Sequence, residues 1–206
     1  MGLKFKYVKR IISRGGFSSL SWKLLRDFIL FPFILAPICY VEIQRIKKSN
    51  IDTSKLYDFC LKNGQIINSG QIKSEIISLL NEIKMLKPKI IMEIGTARGG
   101  TLFLFSQVIP KNAKIISIDL PFGNFGGGYR FWRIPLYKSF TKKGQKMYLV
   151  RKNSHDRKTL SKIKEILGKN KIDFLFIDGD HTYVGVKKDF ELYNPLVRKG
   201  GIIAFS

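Results

Sequence analysis

From residue 71 onward the apolar positions follow two periods that alternate along the chain. Ile72, Ile76, Leu79, Leu80, Ile83 and Leu86 recur at helical spacing and share one face. Pro88 stops that helix. Short apolar runs follow at Ile90–Ile94, Lys114–Ile118, Met147–Val150 and Ile172–Ile177, with a fifth at Gly201–Phe205, and each reads as a strand. The stretches between them, 99–108, 129–141, 157–167 and 183–193, predict helices. Near-continuous apolar strands alternating with helices predict an α/β fold, with a parallel sheet covered on both faces. Upstream, residues 51–70 predict a short helix and then a polar loop around Asn63, Gly64, Asn68, Ser69 and Gly70.

The first fifty residues follow neither period and form an N-terminal helical extension, so the domain proper is expected over 51–206. Phe28 to Val41 is a run of fourteen residues without a charge. About 20 apolar residues are needed to span a bilayer, and Pro32 and Pro37 are expected to kink or break a helix here. Two readings fit. Residues 28–41 could lie in the boundary of an anionic membrane, with Lys23, Arg26, Arg45, Lys47 and Lys48 at the headgroups. Alternatively, the segment is a helix that caps the domain or forms a homo-oligomer interface.

Composition adds one strong feature. The chain has 206 residues and carries 37 Lys and Arg against 15 Asp and Glu, a net charge of +22. Such an excess points to an anionic partner or to a solvated lysine-rich surface. Cys39 and Cys60 sit in no Cys-x-x-Cys pair or histidine cluster. A disulfide framework and a zinc site are therefore not expected, and a reducing, cytoplasmic setting is. Under the first reading of residues 28–41 the protein is peripheral to the cytoplasmic membrane face.

The candidate chemistry begins in IIMEIGTARGGTLFLF, which runs strand, turn, helix. Gly95, Gly99 and Gly100 let the backbone turn tightly and approach a ligand, and the helix start points free N–H groups at it. Gly95-x-Ala97-x-x-Gly100 also approximates a dinucleotide fingerprint. Glu93 at the strand end counts against that reading, because an acid repels pyrophosphate and attracts a cationic ligand. Asp119, ending the next strand, can accept ribose hydroxyl protons.

With EIGTARGGT, GNFGGGYR, NSHDRKTL and FIDGDHTYVGVKKDFELY, the stretch from Gln71 to Phe205 resembles class I S-adenosylmethionine (SAM)-dependent methyltransferases. More narrowly it resembles the cephalosporin-hydroxylase-like and macrolide sugar O-methyltransferase branch. The resemblance implies a Rossmann-like sheet of order 3-2-1-4-5-7-6. The chain ends at Ser206, where relatives continue, so the final β-hairpin is expected to be missing and Gly201–Phe205 to be an unprotected edge. The implied cofactor contacts are Glu93, Gly95, Thr96, Ala97, Gly99, Gly100, Asp119, Leu120, Asn153, Ser154 and Asp178. Relatives carry Gly-Asp-Ser-His where this chain has Lys152-Asn153-Ser154-His155, so a carboxylate is replaced by the Asn153 amide.

Past the fourth strand, Asp178, Asp180 and His181 gather two carboxylates and an imidazole within four residues. Two roles fit. Asp178 and Asp180 could hold Mg²⁺, which would orient an acceptor hydroxyl and lower its pKa. Alternatively, His181 is the general base, with Asp178 beside it. Asp180 also fits a plain helix N-terminus dressed with an acid. The loop Pro121–Gly128 is a candidate lid, and Gln71 and Tyr183 are candidate pocket residues. The expected activity is O-methylation of a small hydroxylated acceptor, with a sugar or glycoconjugate implied by the resemblance alone. A catalytically inactive, truncated SAM-binding or membrane-associated module is the other class. A nucleic-acid substrate is not expected, because no Asn-Pro-Pro-Tyr-type motif is present.

Overall fold

The computed structural model describes residues 30, 33–49, 51–64, 66–123 and 128–206. Residues 124–127 of the candidate lid, and most of the first thirty positions, lie outside that set. Five parallel strands form one sheet: β1 (Ile90–Ile94), β2 (Lys114–Ile118), β3 (Lys146–Val150), β4 (Ile172–Ile177) and β5 (Val197–Phe205). Their order is β3-β2-β1-β4-β5, so the chain winds out from β1 in both directions and β5 forms an edge. This is the Rossmann-like architecture of class I methyltransferases.

Seven helices accompany the strands among the described residues. They are α1 (Ala36–Lys48), α2 (Thr53–Lys62), α3 (Lys73–Leu86), α4 (Gly100–Val108), α5 (Ile134–Lys138), α6 (Arg157–Leu167) and α7 (Tyr183–Tyr193). The period of two along each strand divides the core between the faces of the sheet. Ile91, Phe174 and Phe176 join the apolar cluster that includes residues of α1 to α5. Ile90, Met92, Ile94, Leu175 and Ile177 join the cluster containing Ile163 and Tyr193 of α6 and α7. Helix α4 is apolar all round and buried from Gly100 to Ser106, as a helix in a domain centre must be. Its Phe105 meets Phe174 and Phe176 edge-on at centroid distances of 5.5 Å.

Three expectations change. Pro37 starts α1 rather than breaking it, because in the first turn the missing N–H has no intrahelical partner to lose. The helix foreseen over 129–141 contracts to a 3₁₀ turn, Phe131–Arg133, followed by α5, with Pro135 in α5's first turn. Strand β5 begins four residues early, at Val197, through an irregular register between Ile172 and Phe174. Leu35, Cys39 and Ile43 pack into the same core as α2 and α4, so residues 36–48 cap the domain. The opposite stripe of α1 leaves Ile38 and Val41 exposed, and Ile34 just before the helix is exposed too. Among the described residues no helix is long and apolar enough to cross a membrane.

Candidate active site

The turn from β1 into α4 cannot be built with side chains at its ends. Gly95 has φ +90°, and a Cβ there would overlap the Asp178 carbonyl, so the exits of β1 and β4 meet backbone to backbone. Between the glycines, Ala97 adopts φ +43° despite its Cβ, a strain on the order of 1 kcal/mol. Its peptide is clamped from both sides. The Ala97 N–H donates to Asp119 Oδ2 at 2.8 Å, and its carbonyl accepts from the Tyr137 hydroxyl at 2.7 Å.

Above the carboxyl ends of the strands opens a cleft of about 510 Å³, large enough for a nucleoside-sized ligand. Open α/β sheets bind ligands at this edge, where the strand order reverses on either side of β1. Of the expected contacts, Gly95, Thr96, Ala97, Asp119, Leu120, Asn153, Ser154 and Asp178 line the cleft, together with Asp180 and His181. Glu93, Gly99 and Gly100 do not. Gly99 lies under the Tyr137 ring, and Gly100 lets α4 start against the backbone of Asn68 and Ser69. Tyr183 is 79% exposed on α7, away from the lining, which corrects its candidacy as a pocket residue.

Glu93 falls on the same sheet face as Ile91 and is buried. One carboxylate oxygen accepts from Thr96 Oγ1 at 2.8 Å, while Oε1 is buried with no hydrogen-bond partner among the described residues. Burial pushes its pKa well above the usual carboxylate range; the Thr96 bond opposes this, and Asp178 and Asp119 add to it. Asp119 is buried too, and its pKa rises to about 6 although backbone N–H groups oppose the shift. A single oxygen, Oδ2, accepts both the Ala97 and the Tyr129 N–H. For Asp178, burial raises the pKa against His181, Ser206 and Gln71.

The two acids after β4 diverge. Asp178 Oδ2 accepts from Gln71 Nε2 at 2.9 Å, and its Oδ1 lies 4.0 Å from His181 Nδ1. Asp180 Oδ1 instead accepts the Thr182 N–H at 2.9 Å, a bond that holds its carboxyl below the usual range. Asp180 thus dresses the start of α7, where Gly185 leaves room for its carboxyl. Among the described residues no group of three His, Cys, Asp or Glu side chains is placed to hold a metal ion. The expected Asp178/Asp180 pair lines the cleft without a third such side chain placed to complete a metal site. Asn153 is also partly engaged, its Oδ1 accepting the His155 N–H at 2.9 Å.

Sequence reasoning does not reach Asn68, Ser69, Arg98, Lys152, His155 and Ser206 as lining residues, whereas the candidate Gln71 does line the cleft. Ser206 Oγ donates to Gln71 Oε1 at 3.1 Å, linking positions 135 residues apart. No local pattern marks such a contact. For His155 a signal existed in the NSHD motif; its Nε2 lies 3.3 Å from the buried Asp189.

The winding of the sheet and the glycine turn beneath an acid-lined cleft define a class I methyltransferase fold. A family model described as a methyltransferase domain matches residues 92–206, and the chain belongs to that family. Uncharacterized protein R132 of Acanthamoeba polyphaga mimivirus is 38% identical over 114 residues, 55% of this chain and 49% of that protein. The chain thus spans about half the length of that relative. Tapetum-specific methyltransferase 1 of Arabidopsis thaliana is 27% identical over 188 residues, 88% of this chain and 71% of that protein. Among solved structures, a Staphylococcus aureus protein described as a caffeoyl-CoA O-methyltransferase superposes with a TM-score of 0.52 at 19% identity. That match covers 80% of this chain and 70% of the other, and it supports the fold.

Proposed function

We propose that this chain binds S-adenosylmethionine and directs its methyl group to a hydroxyl of a small acceptor. One observation carries the reading: in a chain of net charge +22, the carboxylates of Asp119 and Asp178 line one cleft, with Glu93 buried beneath it. Burial raises the pKa of all three, and Asp178 and Asp119 add to the effect at Glu93, so the group disfavours an anionic ligand and favours one that brings positive charge. SAM carries an ammonium and a sulfonium, whereas a dinucleotide brings pyrophosphate. The unpartnered Oε1 of Glu93 and the size of the cleft fit it as well.

When bound, SAM supplies an electrophilic methyl group and a neutral thioether leaving group. The chain does the rest. Asp119 accepts from the ribose hydroxyls with the acceptor capacity its two backbone bonds leave over. Leu120, Asn153 and Ser154 flank the adenine. Glu93 acts from beneath, through its field and through Thr96. His181 takes the proton from the acceptor hydroxyl, and Asp178 stabilises the imidazolium that results. Mg²⁺ takes several oxygen ligands, and no third His, Cys, Asp or Glu joins Asp178 and Asp180 among the described residues, so no step is assigned to a metal. A sugar or glycoconjugate acceptor follows from the family resemblance.

A second reading, cofactor binding without turnover, is favoured by the Asp178–His181 separation of 4.0 Å, which is longer than a hydrogen bond. Equilibrium dialysis with labelled SAM, competed by NAD, tests the cofactor. Retention of SAM with no competition from NAD is expected, and displacement by NAD would sink the reading. Label transfer to hydroxylated acceptors then separates the enzyme from the binding module.

A further inference from the structure

The five strands of this sheet begin alike. Lys89 precedes β1, Lys114 opens β2, Lys146 opens β3, Lys171 precedes β4 and Arg198 is second in β5. In a parallel sheet all strand starts share one edge, so the topology sets these cations in the row Lys146, Lys114, Lys89, Lys171, Arg198. At about 4.8 Å per strand the row runs about 19 Å. It lies at the edge opposite the acid-lined cleft, about 17 Å away along strands of five residues.

Within that edge is a second cleft of about 620 Å³. Five of its ten lining residues are basic, namely Lys87, Lys89, Lys114, Lys171 and Arg198, against 37 of 206 in the whole chain. A dispersed lysine-rich surface does not give that density. The single acid of the cleft, Asp173, is already engaged. Its Oδ2 accepts the N–H groups of Lys89 and Ile90, each at 2.8 Å, and its Oδ1 accepts Arg198 Nε at 2.6 Å.

Helix C-termini also gather at this edge, and their partial negative charge accounts for some of the cations. Lys114 Nζ donates to the Ile166 carbonyl at 2.6 Å and Lys171 Nζ to the Pro195 carbonyl at 2.7 Å. Lys87 and Lys89 have no such bond and no acidic partner among the described residues. Lys87 is moreover held at φ +47°, at a helix C-cap that glycine or asparagine would occupy with less strain.

We propose that this cleft binds a phosphate-bearing ligand. Four lysines line one concavity whose own carboxylate is spent, and phosphate oxygens meet lysine ammonium groups with strong charge-assisted bonds. The phosphate belongs either to a free phosphorylated molecule or to the headgroup of an anionic lipid. Unlike the acid-lined cleft, this site repels SAM and requires no methyl transfer.

The test uses the full chain and a Lys87→Asn, Lys89→Gln double variant, both residues being at the surface and clear of the other cleft. Inorganic tripolyphosphate is titrated calorimetrically at about 0.15 M salt, where diffuse surface attraction is screened. In parallel the proteins are sedimented with phosphatidylcholine vesicles with and without phosphatidylserine. Saturable tripolyphosphate binding that weakens at least about tenfold in the variant supports the site with a free phosphate as its source. No saturation, but phosphatidylserine-dependent sedimentation that the variant loses, supports it with a lipid source. If neither probe binds, or the variant binds both as the parent does, the proposal is overturned.

Discussion

Replacing Asp119 by Asn removes a buried charge while keeping the shape of the turn. The wild-type carboxylate uses one oxygen, Oδ2, for both the Ala97 and the Tyr129 N–H, and the Asn carbonyl can accept both from the same place. Folding carries Asp119 from an ordinary carboxyl pKa of 3.8 to about 6. Between those values the folded chain holds more protons than the unfolded one, so stability falls as pH rises through that window. Above pH 6 the loss is complete. At 1.36 kcal/mol per pKa unit it amounts to about 3 kcal/mol. Glu93 and Asp178 also have raised pKa values, so the useful quantity is the difference between variant and wild type. Urea unfolding followed by circular dichroism from about pH 4 to about pH 7 should show the Asp119→Asn variant gaining about 3 kcal/mol on the wild type across the range. A difference that stays constant with pH would refute the reasoning, because it would mean that the Asp119 carboxylate is not buried at a cost.

Four further outcomes are expected. Gly95→Ala places a Cβ into the Asp178 carbonyl at φ +90°, so the variant should fail to fold or should lose all binding in the cleft, as read by circular dichroism and dialysis. Tyr137→Phe deletes the 2.7 Å bond to the Ala97 carbonyl, and thermal unfolding should show a loss of about 1 kcal/mol. Ile43→Ala opens a hole under α1 and should cost about 2–4 kcal/mol if that helix is part of the cooperative core; no change would detach α1 from the domain. Asp178→Asn should abolish methyl transfer in the labelled-SAM assay while leaving cofactor affinity within a few-fold, since the amide can still meet Gln71.

What the sequence disclosed depends on how locally each feature is encoded. The apolar runs of β1, β2 and β4 mark strands buried on both faces, and such strands must be apolar throughout. The early start of β5 was hidden because Gly200 and Gly201 interrupt the apolar pattern, and the strand continues across them only through its pairing with β4. The helix expected over 129–141 contracts to α5 because Pro135 lacks an N–H to donate within a longer helix and fits only in a first turn. Gly95 and Asp119, which line the cleft, and Glu93 beneath them were legible as candidates, since a strand end, a tight turn and an acid lie within one short segment or at a predicted strand exit. Whether Glu93 lines the cleft or lies beneath it depends on Thr96 and Ser117, whose hydroxyls lie 2.6 Å apart across 21 positions. The Gln71–Asp178 bond joins elements 107 residues apart, and periodicity has no access to it. The pairing of Asp178 with Asp180 rests on sequence proximity, which carries no sign that the Thr182 N–H engages one Asp180 oxygen at the start of α7.

The most direct test of the central claim is a calorimetric titration of the 206-residue chain with S-adenosylhomocysteine at neutral pH. It keeps the ammonium, ribose and adenine of the cofactor and stays unreacted. The expected result is saturable binding at one site, absent when Gly95 carries a side chain. A folded chain that takes up no S-adenosylhomocysteine would contradict the assignment of the acid-lined cleft as a cofactor site.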